Sequence, residues 1–142
     1  MLLSFLTGVN LLRVMDSRVR AVYKIDPQPE GPAQARQIIA EELSSRLPAG
    51  VLNDIKLMVS QLVTNGIVHG SARRDTPVLL DLVVNGDIQC RVLDRGPGFA
   101  GYTHPRPDGG GWGLQVVEQL ADRWGMQRSP QQTEVWFERQ RP

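Results

Sequence analysis

PVLLDLVVNGDIQCRVLD, residues 77–94, consists of two strand-like runs joined through Asn85-Gly86. Asn-Gly between two such runs is the strongest short-range hairpin signal, because both residues tolerate the backbone a tight turn demands. The segment just upstream has a different period. Leu52, Ile55, Val59, Leu62, Val63 and Gly66 recur at helical spacing, so a helix hands over to an antiparallel strand pair.

The same test extends outward. VRAVYKID (19–26) alternates, with Val19, Ala21, Tyr23 and Ile25 on one side, as a half-buried strand does. PQPEGP breaks it, and Pro32 suits the first turn of a helix. Ala35, Ile38, Ile39, Glu42 and Leu43 continue at helical spacing, and Pro48 with Gly50 is expected to stop that helix. Downstream of the hairpin a Gly- and Pro-rich stretch leads into LQVVEQLADRW (114–124), which reads as helical, and WGMQRS and TEVWFERQ read as a final strand pair around SPQQ. The order is β, α, α, β, β, glycine loop, α, β, β. It predicts an α+β two-layer sandwich, with helices on one face of a mixed, mostly antiparallel sheet.

A chain of 142 residues, 41% hydrophobic and 22% charged, is that of a globular protein and not of a disordered one. Sixteen basic against fifteen acidic residues leave a formal charge of +1. The basic residues are scattered, which gives no electrostatic case for nucleic acid. The single cysteine, Cys90, has no internal disulfide partner, which fits a reducing cytoplasm. In a strand-like run it reads as a small buried hydrophobe.

MLLSFLTGVNLLRV, at the start, is too short and interrupted for a membrane span of ~20 residues. It also lacks the basic start and small-residue cleavage site of a signal peptide. Residues 1–17 are therefore set apart as an extension, with Met15 an alternative start, and residues 18–142 as a single domain.

Three segments carry chemistry. VSQLVTNGIVHG (59–70) puts Gln61 and Asn65 four residues apart on one helix face, ahead of a helix-weakening Gly66. DRGPGF sets Asp94 at a strand end with Gly96 and Gly98 in the turn beyond. GGGWGLQ runs several glycines into a helix near Leu114, and such bare backbone N–H groups can hold phosphate oxygens.

Taken in order, these segments resemble the N-box and the two glycine boxes of the GHKL ATP-binding superfamily, which shares the Bergerat fold. The resemblance spans roughly residues 18–139, and VxxLVTNxxxH and LADRWG look most like the anti-sigma factor serine/threonine kinases. It implies ATP and Mg²⁺ as cofactors, with Asn65 as the metal ligand and Asp94 accepting from the adenine amino group. It further implies that Gly96 and Gly98 pass close to the base, and that Gly109, Gly110, Gly111, Gly113 and Leu114 border the phosphates. Thr133 matches a threonine near the adenine. His69 fits the pattern as a packing or hydrogen-bonding residue, and neither Trp112 nor Arg106 is assigned chemistry. The implied partners are a second copy, a sigma factor and an antagonist protein, in the cytoplasm, with neither nucleic acid nor membrane.

One position departs from the group. Where its kinases carry a glutamate general base, this chain has Gln61, which cannot ionise but can orient a hydroxyl or water. Nucleotide binding is expected to survive, and phosphotransfer to be slow or absent. The alternatives are a non-catalytic partner-switching module, with ATP structural or lost, and a histidine kinase catalytic domain. The last would need a phosphoacceptor histidine on a dimerisation helix, and of the two histidines His69 lies inside the N-box and His104 in the lid between the two glycine boxes.

Overall fold

The computed structural model describes residues 9–10, 19–70, 76–95 and 114–140. Its elements run β1 (Val9–Asn10), β2 (Val19–Ile25), α1 (Gly31–Leu43), α2 (Ala49–Asn65), a π-type turn (Gly66–Gly70), β3 (Val78–Asn85), β4 (Asp87–Arg95), α3 (Leu114–Leu120), β5 (Arg123–Arg128) and β6 (Gln132–Arg139). The strands form one sheet in the order β1-β2-β3-β4-β6-β5, and every described pairing is antiparallel. The α+β order expected from the sequence is the order observed. The two-residue β1, inside the N-terminal extension, is an addition, pairing Val9 with Tyr23 and Asn10 with Val22.

The sheet works as a two-sided plate because side chains alternate along each strand. Ala21, Tyr23 and Ile25 on β2, Val78, Leu80, Leu82 and Val84 on β3, and Ile88, Cys90 and Val92 on β4 are all buried. They join Ile38, Ile39 and Leu43 of α1 and Ile55, Met58, Val59, Leu62 and Val63 of α2 in one core. Cys90 is a free, fully buried thiol, and burial pushes its pKa far above the ordinary value. Glu42, on the apolar spacing of α1, is half-buried and accepts a hydrogen bond from the Tyr23 hydroxyl.

The opposite face carries a row of charges across four strands. Arg20 pairs with Asp81 at 3.3 Å, Arg91 lies 4.0 Å from Asp81, and Arg91 reaches Glu134 at 3.0 Å. That row buries Asp81 to 5% exposure in a strand position that alternation alone assigns to solvent.

Three boundaries differ from expectation. Gly50 does not stop α1; the helix ends at Leu43, Pro48 is the N-cap of α2, and Gly50 lies in the first turn of α2. The third helix ends at Leu120, not Trp124. There the Asp122 N–H donates to the Glu138 carbonyl at 2.9 Å and the Asp122 carboxylate accepts from the Gln140 N–H at 2.7 Å, drawing the chain into the sheet. In the hairpin, only Gly86 has a positive φ, at 79°, and Asn85 pairs directly with Asp87. A type I′ turn needs positive φ at both central residues, so Gly86 alone pivots this turn.

Candidate functional site

The candidate site forms where α2 runs out over the end of β4. Asn65 is the last residue of α2 and is 4% exposed, while Gln61, one turn earlier on the same face, is half-buried. The helix widens into the π turn directly after Asn65, a distortion frequent at functional sites. Gly66, the first residue of that turn, makes the close approach possible. A Cβ placed there would lie 3.3 Å from Val78 Cγ1 and 3.8 Å from Asp94 Cβ.

Asp94 lies near the end of β4, directly opposite Thr133 of β6 in the sheet register. Both are buried, at 2% and 3% exposure. Among the described residues, neither carboxylate oxygen of Asp94 has a hydrogen-bond partner, and neither does Asn65 Nδ2. Buried polar groups are nearly always satisfied, and an unpaired buried carboxylate is among the most unfavourable groups a fold can hold. Burial pushes the Asp94 carboxyl up from 3.8 to about 6. The site therefore contains an unmet acceptor on the sheet side and an unmet amide on the helix side, brought together by Gly66.

Leu114 opens α3 and is 2% exposed, and α3 packs on α2. The structure thus brings together Asn65, Asp94 and Thr133, with Gln61 one turn back along α2. Gly96, Gly98, Gly109, Gly110, Gly111, Gly113, Trp112 and Arg106 lie outside the described residues, as does the side chain of His69. The sequence reading placed Gly66 in the apolar stripe and missed its role beside Asp94. The available signal was a glycine next to a candidate ligand inside a helix, where it costs ~1 kcal/mol relative to Ala.

No group of three or more His, Cys, Asp or Glu able to hold a metal ion occurs among the described residues. The orphaned atom of Asn65 is its amide nitrogen, a donor, so a Mg²⁺ ion would have to take the side-chain oxygen instead and draw its other ligands from phosphates and water.

This chain belongs to the histidine kinase-like ATPase domain family, whose model matches residues 25–139, and within it to the anti-sigma factor kinase group of the GHKL superfamily. It is 33% identical over 106 residues to the anti-sigma F factor of Clostridium beijerinckii, covering 66% of this chain and 73% of that protein. Its fold matches a crystal structure of the RsbU and RsbW domains of a Mycobacterium tuberculosis protein, with a TM-score of 0.70 at 19% identity. The match covers 87% of this chain and 33% of that longer one.

Proposed function

We propose that this chain is an ATP-binding regulator of the anti-sigma type, in which Gln61 leaves phosphotransfer slow or absent. The observation that carries the nucleotide reading is the buried, partnerless Asp94 carboxylate opposite Thr133. It is the acceptor an adenine amino group needs, at a place where nothing else among the described residues satisfies it. A hydrogen bond to an ionised acceptor is roughly twice as strong as a neutral one, and guanine, with a carbonyl in place of that amino group, cannot donate it. By the family resemblance, Asn65, Gly109, Gly110, Gly111, Gly113 and Leu114 would hold the phosphate end, with Gly96 and Gly98 along the base.

Bound Mg²⁺, held by Asn65 and the phosphates, would neutralise phosphate charge. The residues of this chain do the rest. Asp94 and Thr133 fix the base, the α2 amides orient the far end, and Gln61 accepts from an approaching hydroxyl without removing its proton. Phosphoryl transfer rests mainly on positioning and electrostatics, while a positioned base adds typically ~10²–10⁴-fold. The loss at Gln61 is therefore large for turnover and small for binding.

The name of the Clostridium relative supports a sigma factor as the protein held, and the resemblance to the anti-sigma kinases implies an antagonist protein as the agent of release. The same resemblance supports a homodimer acting in the cytoplasm, with residues 18–142 as one nucleotide-binding domain. No helix among the described residues is long and apolar enough to cross a membrane. Gln61 also favours a second reading, a partner-switching module in which ATP is only a structural ligand or is lost.

Thermal unfolding with and without Mg-ATP tests the nucleotide reading. Ligand at ~100 times its dissociation constant should add ~2.7 kcal/mol of stability. GTP at the same concentration should add far less. An unfolding midpoint indifferent to Mg-ATP at millimolar concentration would leave only the nucleotide-free scaffold.

A further inference from the structure

Arg139, the last residue of β6, reaches two other elements at once. Its Nη1 donates to the Leu120 carbonyl at 2.7 Å and pairs with Asp54 Oδ2 at 3.0 Å. Leu120 is the final residue of α3, where carbonyls lack helical partners, and Asp54 lies in the first turns of α2. The side chains of Arg139 and Asp54 are 22% and 33% exposed, so the pair is only partly screened by water. The backbone beside it is fastened too, through Asp122 to Glu138 and Gln140. By contrast, Arg123 pairs with Glu138 through a side chain 70% exposed and ties only β5 to β6.

Both helices joined by Arg139 carry the candidate site at their far ends. Asn65 lies eleven positions along α2 from Asp54, about 16 Å at helical rise. Leu114 is at the opposite end of the short α3 from Leu120. The spacing between Asn65 and Leu114 therefore depends on how α3 is seated against α2. The spacing between Asp94 and Thr133 does not, because the β4–β6 ladder fixes it.

We infer that Arg139 is a positioning residue for the phosphate end of the nucleotide site, holding α3 in register with α2 through Asp54 and the Leu120 carbonyl. The inference rests on the ATP-binding reading given above. It divides the site in two, with a base end built on the sheet and a phosphate end built on two clamped helices. A misplacement of 1 Å far from the reacting atoms can cost a factor of ~10², so a clamp three helical turns away is near enough to matter.

The test compares ATP with adenosine on the full chain, by calorimetry or by displacement of a fluorescent nucleotide. Arg139→Met keeps the aliphatic stem and removes both contacts; Asp54→Asn weakens one of them. Arg139→Met should lower Mg-ATP affinity roughly tenfold or more, by analogy with such misplacements, and leave adenosine affinity within about twofold. Asp54→Asn should shift the ATP-to-adenosine ratio in the same direction by less, Arg139→Lys should restore part of it, and Arg123→Met should leave it unchanged. An unaltered ratio in Arg139→Met, or equal losses for both ligands, would reduce Arg139 to a structural staple and overturn the inference. Wild-type protein that takes up neither ligand would instead sink the ATP-binding reading, and the inference with it.

Discussion

Asp94 and Thr133 face each other across the β4–β6 ladder, both buried, and the carboxylate has no partner on either oxygen among the described residues. That pairing places a destabilising group inside the fold. Its folded pKa of about 6 stands above the ordinary 3.8, so its stabilising contribution is full below pH ~4 and is lost as the pH rises through about 6. At ~1.4 kcal/mol per pH unit of separation, the unliganded protein gives up about 3 kcal/mol by neutral pH. Asp94→Asn should remove most of that loss. Chemical denaturation at pH 5 and pH 8 should find the wild type weakening between the two and the variant nearly flat. The same variant should lose Mg-ATP uptake, which calorimetry reads directly. A variant less stable than wild type at pH 8 would count against the buried charge.

Gly66 is the hinge of the same site from the helix side. A Cβ there meets Val78 at 3.3 Å and approaches Asp94 Cβ at 3.8 Å. Gly66→Ala gains up to ~1 kcal/mol of helix preference, which offsets part of the crowding, so the unfolding midpoint should move little. The approach of Asn65 to Asp94 should nevertheless widen, with nucleotide affinity falling several-fold. Gly66→Val should abolish binding altogether.

How much of this was legible beforehand depended on the kind of interaction. The alternation in VRAVYKI and the Asn85-Gly86 junction reported local geometry, and the strands formed there. The helical spacing of Ile38, Ile39 and Leu43 likewise marked a face that the core then buried. That Asn65 closes a helix and Asp94 lies near a strand end was legible from the local pattern, while Thr133 came from the family resemblance alone. What was not legible came from contacts distant along the chain. The stop of α3 at Leu120 is imposed by Glu138 of β6 and by Gln140 just beyond that strand. The burial of Asp81 needs Arg20 and Arg91 from both neighbouring strands. The order that inserts β6 between β4 and β5 puts Thr133 opposite Asp94, and no local pattern encodes it.

Trp136 and Gly125 form a close pair on the sheet face away from the helices. They are register partners between β6 and β5, and a Cβ on Gly125 would fall 2.8 Å from Trp136 Nε1. The indole lies where any larger residue would have to be. Gly125→Ala should force the ring off the strand, at the ~1–3 kcal/mol typical of overpacking. Tryptophan emission should report the displaced ring, while nucleotide affinity, set on the other face, should stay within about twofold. A variant with unchanged stability would show that the ring moves aside freely.

Gln61 decides between a regulator that modifies its partner and one that only holds it. It sits one turn before Asn65 on α2, half-buried, with the same chain length as the glutamate found in kinases of the group. Gln61→Glu therefore changes ionisation and little else: the volume is conserved, and the side chain is only half-buried. A glutamate there could take the proton of an attacking hydroxyl, a contribution of typically ~10²–10⁴-fold. Mg-ATP affinity should change by less than about threefold, since Asp94 and Asn65, the proposed base contact and metal ligand, are untouched. Phosphate transfer from labelled ATP to the cognate antagonist protein should rise by one to two orders of magnitude or more, and Asn65→Ala introduced beside it should return transfer to background. Wild-type protein that already transfers phosphate as fast as the Gln61→Glu variant would mean that the amide suffices and that another group accepts the proton.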